Sequence, residues 1–407
     1  MPALLLRDLA QVVSAARGSG PLRGAALGDV RVVEDGYVLC EAGRIVSVGA
    51  MRELDRRELP AEVVELDGHG KAALPGLVDC HTHACFAGDR AAEFELRASG
   101  ASYEELHAAG GGILATVRAT RAAGEDELAR LLERHRRWML AQGTTTFEAK
   151  SGYGLDRKTE LAQLRVISSG GGVPTFLGAH AVPPEFSTGD AYLDFVLAEV
   201  LPEAAALAEA ADVFVERGAF DSRQAERYLL ACREAGLALR LHADQFTEAG
   251  GLELAVRLGT RSVDHLEATE LAGVRALAAS DVAAVLLPVA ALTLGRPMPP
   301  GRALADAGAI VAIATDFNPG SAFCESLPIA INLACTQVGL TPAEALTACT
   351  ANAAHVLGRA GEVGRIDAGY AADLMLLDTS DWRYLAYHLG GEHVAVVIKE
   401  GEVVWER

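Results

Sequence analysis

The stretch Gly76-Leu77-Val78-Asp79-Cys80-His81-Thr82-His83 reads as a short apolar strand that ends in two histidines one residue apart. Residues i and i+2 of an extended chain face the same side, so both imidazoles can reach one point. Taken alone, such a pair is more often the satisfied polar end of a strand. Its meaning depends on what arrives beside it. Around this first run, at 76–81, seven more have strand character: 144–149, 174–179, 212–216, 239–243, 262–266, 283–287 and 311–315. Amphipathic stretches separate several of them. One covers 126–142, with Leu128, Leu131, Leu132, His135 and Met139 at helical spacing before Gly143. Another covers 222–235, with Ala225, Leu229 and Cys232 on one face, and stops before Gly236. A third opens at Thr341-Pro342-Ala343-Glu344, a capping box with proline at the first helical position. Eight such alternations over about 290 residues predict an α/β fold, a (β/α)8 TIM barrel, rather than an open doubly wound sheet. No G-x-G-x-x-G follows an early strand and no G-x-x-x-x-G-K-[ST] is present, so nucleotide-binding folds lack their phosphate loop.

The two ends read differently. Residues 30–33, 37–40 and 44–48 form short strand-like runs, broken by Asp35-Gly36 and Ala42-Gly43. The style returns at 372–377, 394–398 and 403–405, with Glu400-Gly401 as a turn. Neither end has enough strands to bury two faces alone. The two are therefore expected to pair into one small β-sandwich domain. The expected division is 1–73 and 361–407 as the halves of that composite domain, around a barrel at 74–360.

Composition narrows the function classes. The chain has 407 residues, and 36 basic against 55 acidic side chains give a net charge of −19. A phosphate backbone is a poor partner for such a surface. No apolar run approaches the roughly 20 residues a membrane helix needs. Leu4-Leu5-Leu6 is followed at once by Arg7-Asp8, which leaves no secretory apolar segment. The seven cysteines are odd in number and form no C-x-x-C pair, which points to reduced thiols. The expectation is a cytoplasmic globular protein that acts on a small molecule, with no nucleic-acid or membrane partner.

In a barrel of this kind, chemistry sits at the C-terminal ends of the strands. Those positions hold His81 and His83, Glu148 and Lys150, His180, Glu216, His242, His265 and Asp316. Five of the eleven histidines fall there, where chance would scatter them over helices and loops. His242 and Asp316, at depths equivalent to the H-x-H pair, change its meaning. Three imidazoles and one carboxylate suit Zn²⁺ or Fe²⁺ and leave a position for water. Such an ion lowers the pKa of water from about 15.7 towards roughly 7.

Leu74-Pro75-Gly76-Leu77-Val78-Asp79-Cys80-His81-Thr82-His83 resembles the signature of the amidohydrolase superfamily. So does the tail, Gly364-Arg365-Ile366-Asp367-Ala368-Gly369-Tyr370-Ala371-Ala372-Asp373-Leu374, and the split terminal domain matches that architecture. Binuclear members usually carry a bridging carboxylated lysine on strand four, where this chain has Phe214-Val215-Glu216. The resemblance therefore implies the mononuclear type, with one Zn²⁺ or Fe ion per subunit on His81, His83, His242 and Asp316. It also implies a homodimer.

Narrower motifs are similar to one branch of that family. They are Phe86-Ala87-Gly88-Asp89-Arg90, Glu148-Ala149-Lys150-Ser151-Gly152-Tyr153-Gly154-Leu155, Gly178-Ala179-His180, His242-Ala243-Asp244-Gln245, Asp264-His265-Leu266 and Thr315-Asp316-Phe317-Asn318-Pro319-Gly320-Ser321. This likeness implies hydrolysis of a cyclic amide with a propionate arm, 4-imidazolone-5-propanoate, in histidine degradation. It carries substrate contacts onto Arg90, Tyr153, His180, Gln245, Asn318, Gly320 and Ser321, and catalysis onto His265 and Asp316. The residue types fit. Arg90 can fork onto a carboxylate with two charge-assisted hydrogen bonds, although a surface ion pair with Glu93 or Asp89 is the plainer reading. Tyr153 offers a hydroxyl and a flat face. The turn at Asn318–Ser321 lets backbone and hydroxyl groups approach a small ligand.

Gln245 stands where some relatives have glutamate. A neutral amide cannot take a proton at pH 7, so it is read as a hydrogen-bonding group, which leaves base work to Asp316 or His265. The same position argues against a rival, a purine or pyrimidine deaminase, since those enzymes usually carry glutamate there. A second rival, a metal-free scaffold on the same fold, would need broken ligand positions, and all four are intact. Plainer roles go to the rest. His135 reads as packed core, Cys80 and Cys85 as packing around the metal motif, and His69, His107, His355, His388 and His393 receive no role.

Overall fold

The computed structural model describes residues 3–57, 59–100 and 111–407; His107 lies outside them. All eight expected strands are present: β1 (Leu77–Asp79), β2 (Thr144–Lys150), β3 (Val173–Ala179), β4 (Ala210–Val215), β5 in two pieces (Ala238–Leu239 and His242–Ala243), β6 (Ser262–His265), β7 (Ala283–Leu286) and β8 (Ile310–Ile313). Each pairs in parallel with the next in chain order. The ring closes just past β1 and β8. Thr82 bridges Phe317, His83 N–H donates to Phe317 C=O at 2.9 Å, and Asp316 N–H donates to His81 C=O at 3.0 Å. Closure of the barrel thus sets the H-x-H pair against Asp316. β7 and β8 are buried throughout, as strands covered on both faces must be.

Two of the expected helices start as their caps dictate. Asp221 accepts from Gln224 N–H and caps Ser222–Glu234, and Thr341 forms the capping box of Pro342–Ala348. The stretch expected at 126–142 is the second part of a longer element, Ile113–Ala141. Gly124, at φ 73°, interrupts the helical backbone there, so the pattern restarts after it.

The termini form one sheet in the order Glu402–Glu406, Val394–Lys399, Leu374–Leu377, Ala72–Pro75, Ala3–Ala15, Val30–Glu41, Arg44–Ala50, with Val63–Asp67 also on Ala3–Ala15. Leu374 lies opposite Pro75, which joins the two ends of the chain. The sheet curls back, because Ala372 N–H donates to Gly43 C=O and Ile45 N–H to Tyr370 C=O. Leu6, Val38, Ile45, Leu376 and Ile398 therefore share one core, as a sandwich requires. Two details depart from the expectation. Residues 30–41 are one strand that bends at Asp35 (φ 48°), not two. The 13-residue strand Ala3–Ala15 was not anticipated, because Arg7-Asp8 breaks its apolar run at a shift in register.

Candidate active site

The imidazoles of His81, His83 and His242 gather at the C-terminal mouth of the barrel, with ring centroids 4.5 Å apart for His81–His242 and 5.5 Å for the other two pairs. One nitrogen from each lies within 4.8 Å of the others, and the same holds for atoms of His81, His265 and Asp316. Asp316 Oδ1 stands 3.5 Å from His81 Nε2 and 3.4 Å from His83 Nε2. Two of these nitrogens, Nε2 of His81 and of His242, are buried with no hydrogen-bond partner among the described residues. Buried polar atoms rarely stay unpaired, so convergent orphans of this kind fit a divalent metal ion.

The opposite nitrogens fix the tautomers. His81 Nδ1 lies 2.6 Å from Asp264 Oδ2, and His242 Nδ1 lies 2.9 Å from Asp212 Oδ1. A carboxylate only accepts, so each Nδ1 carries the proton and each Nε2 presents a lone pair. Burial opposes the charge on Asp212 and Asp264, but His242 and Lys150 on the first, and Arg240, His81 and Lys150 on the second, hold both carboxyls below the usual range. Burial keeps His83 and His242 neutral, the form that binds metal. Glu216, at the end of β4, lines the cavity and accepts from the N–H groups of Phe246 and Thr247.

A cavity of about 680 Å³ opens above these groups, and every expected substrate residue lines it. Arg90 makes the ion pair of the plainer reading and also lines the cavity. Its guanidinium forks onto Glu93 (Nε–Oε2 3.0 Å, Nη2–Oε1 2.8 Å) inside the cavity wall, not on the surface. It also lies against Gly320, where any Cβ would collide with it. Tyr153 is held by its loop. Glu160 accepts from the N–H groups of Gly152 (3.0 Å), Gly154 (2.9 Å) and Leu155 (2.7 Å), and this buried carboxylate presents the ring to the cavity. His180 stacks on His83 at 5.2 Å and bonds Gly152 C=O through Nδ1 at 3.0 Å. Burial pushes its pKa down to about 3, so its other nitrogen is an acceptor at neutral pH.

Asn318 turns its amide onto its own loop: Nδ2 donates to Asp316 C=O and Ser321 Oγ, and Oδ1 accepts from Gly320 and Ser321 N–H. Ser321 Oγ donates in turn to Asp316 Oδ2 at 3.1 Å. The loop therefore orients Asp316 as well as lining the cavity. Gln245 is nearly buried, yet its amide makes no hydrogen bond among the described residues. His265 pairs with Glu267 at 3.3 Å; burial works against its charge, but Glu267 and Asp316 leave its pKa above the ordinary value. Both His265 (φ 87°) and Asp316 (φ 56°) sit in left-handed backbone, a strain typical of functional strand ends.

The plainer assignments stand where they were placed. His135 bonds Ala84 C=O and stacks on Phe86, and Cys80 and Cys85 are buried with thiols pushed up by burial. Missed at the level of sequence were Asp212 and Asp264 as partners of the ligand histidines and Glu160 beneath Tyr153. The acid at the base of a strand or on a helix carries no local signal of such a role.

The Amidohydrolase family model matches residues 72–404. An imidazolonepropionase of Rubrobacter xylanophilus is 63% identical over 98% of this chain and 97% of its own length. One of Chloroflexus aggregans is 47% identical over 98% of each. Among solved structures, guanine deaminase of E. coli superposes with a TM-score of 0.73 at 15% identity and full coverage of both chains. An adenosine deaminase from Xanthomonas campestris with bound zinc gives 0.69 at 20%, over 98% of this chain and 92% of that one. These two share the fold. The chain belongs to the amidohydrolase family and, within it, groups with the imidazolonepropionases.

Proposed function

We propose that this protein hydrolyses 4-imidazolone-5-propanoate to N-formimidoyl-L-glutamate, as a cytoplasmic homodimer with one zinc or iron ion per subunit. The observation that carries the reading is the meeting of unpartnered Nε2 atoms of His81 and His242 with Asp316 beneath a cavity walled by Arg90. His81, His83, His242 and Asp316 would hold the ion. It supplies Lewis acidity, which activates water at neutral pH and polarises a carbonyl.

The chain's own groups do the rest. Arg90 Nη1, which Glu93 does not take and which has no partner among the described residues, anchors the propionate. Gln245 donates and accepts at the ring edge, and Tyr153 closes over its face. Asp316 accepts the proton lost by the attacking water and returns it to the leaving ring nitrogen. His265, with a proton favoured by Glu267, polarises the ring carbonyl from its buried position. Deamination of a purine is the second reading, and it lacks an ionisable group at Gln245 to protonate a ring nitrogen. The test is direct: supply 4-imidazolone-5-propanoate and follow loss of ring absorbance, with guanine and adenine in parallel. Turnover of a purine and not of the imidazolone overturns the proposal.

A further inference from the structure

TIM-barrel interiors are usually filled by branched aliphatic side chains. This one holds five charged groups instead, from β2, β4, β6 and the break in β5. Lys150 Nζ lies 2.8 Å from Glu148 Oε1, 2.7 Å from Asp212 Oδ2 and 3.9 Å from Asp264 Oδ2. Arg240 reaches Glu148 Oε1 at 2.5 Å, Asp264 Oδ2 at 3.0 Å, Cys80 C=O at 2.7 Å and Ser262 Oγ at 3.1 Å. All five are at most 1% exposed. Such burial is expensive unless each charge is paired and hydrogen-bonded, and replacing ion pairs by apolar groups is often neutral or stabilising. Stability therefore gives little reason for the network.

Its position gives one. Asp212 spends Oδ1 on His242 and Oδ2 on Lys150, and Asp264 Oδ2 is shared between His81 and Arg240. Each carboxylate that orients a histidine is held from behind by one of the two cations. We propose that Lys150 and Arg240 are positioning residues for metal binding, which lock Asp212 and Asp264 so that His242 and His81 present Nε2 at a fixed point. Without Lys150, Asp212 loses its only hydrogen-bond partner other than His242 among the described residues and is free to turn from the imidazole. Three carboxylates then face one guanidinium. The inference rests on reading His81 and His242 as metal ligands, and neither cation is among the residues that line the cavity.

The experiment measures metal retention rather than turnover. Full-length wild type, Lys150→Met and His242→Ala are loaded with Zn²⁺, and release to a chromophoric chelator is followed, with thermal unfolding recorded on the same samples. Lys150→Met should fold and lose zinc with a dissociation constant raised 10–100-fold, the range for loss of a group that orients a ligand. A folded Lys150→Met that holds zinc as the wild type does overturns the proposal. If Lys150→Met does not fold, Ser262→Ala is read alone, because it removes a partner of Arg240 without changing any charge. Zinc release several-fold faster is then expected, and release at the wild-type rate overturns the proposal. Should His242→Ala also retain zinc fully, the ligand assignment falls first and the proposal falls with it.

Discussion

Arg90 points its Nε and Nη2 at the two oxygens of Glu93, at 3.0 and 2.8 Å, and its Nη1, at the cavity wall, has no hydrogen-bond partner among the described residues. A substrate carboxylate meets an arginine already oriented by its neighbour. Arg90→Ala should therefore weaken recognition by about 1.5–3 kcal/mol, the scale of hydrogen bonds to a charged group. The measurement is kcat/KM on the substrate and on an analogue without the carboxylate. Equal losses on both would make Arg90 a structural residue.

His265 lies within reach of the same point as His81 and Asp316, so its role is decided by metal content. His265→Ala should keep its metal and lose roughly 10²–10⁴-fold in kcat. Both are read on one sample by elemental analysis and a rate assay. Loss of the metal would make His265 a ligand, and a near-normal kcat would take it out of the chemistry. One equivalent per wild-type chain is expected, and activity that tracks a second equivalent would contradict the mononuclear site.

Gln245 has no partner among the described residues and faces the cavity. If it only orients the ring, Gln245→Glu keeps substantial activity and adds an acidic limb to the pH–rate profile. Gln245→Leu removes both hydrogen-bonding groups at similar size and should raise KM. A Gln245→Glu enzyme without activity would mean that the neutral amide itself is required.

Glu160 is tied to three N–H groups of the Tyr153 loop. Glu160→Gln keeps the size and halves the accepting capacity. KM should rise several-fold while kcat changes little, since Tyr153 loses its fixed placement and the metal ligands do not. A fall in kcat alone would place Glu160 in the chemistry.

His135 titrates far from its ordinary value. Burial lowers its pKa from 6.5 to about 4, against the hydrogen bond to Ala84 C=O. The unfolded imidazole binds a proton below about 6.5 and the folded one only below about 4, so the unfolded state holds more protons between them. Stability is complete above pH 6.5 and falls as the pH drops towards 4, by about 3 kcal/mol at most from this one group. His135→Phe keeps the ring and should flatten that slope by up to one proton in denaturant titrations across the range. An unchanged slope would assign the acid sensitivity to other groups, His180 first among them.

Much of the barrel was legible because its signals are local. Each strand is a short apolar run between helical stretches, and the histidines at strand ends fall where such a barrel does its chemistry. Ala3–Ala15 was not legible. Arg7-Asp8 breaks its pattern, and what makes it a strand is pairing with Val30–Glu41, Val63–Asp67 and Ala72–Pro75, together with a core shared with Leu376 and Ile398. The site divides in the same way. By itself, the order of residues determined which side chains stand at the mouth, since position along a strand decides depth and face. Only the tertiary structure decided that Asp212 and Asp264 hold His242 and His81, that Glu160 holds Tyr153, and that Lys150 and Arg240 lie beneath them all. Those partners come from strands and helices up to 183 residues apart, and an isolated carboxylate in a sequence carries no mark of the imidazole that barrel closure will bring to it.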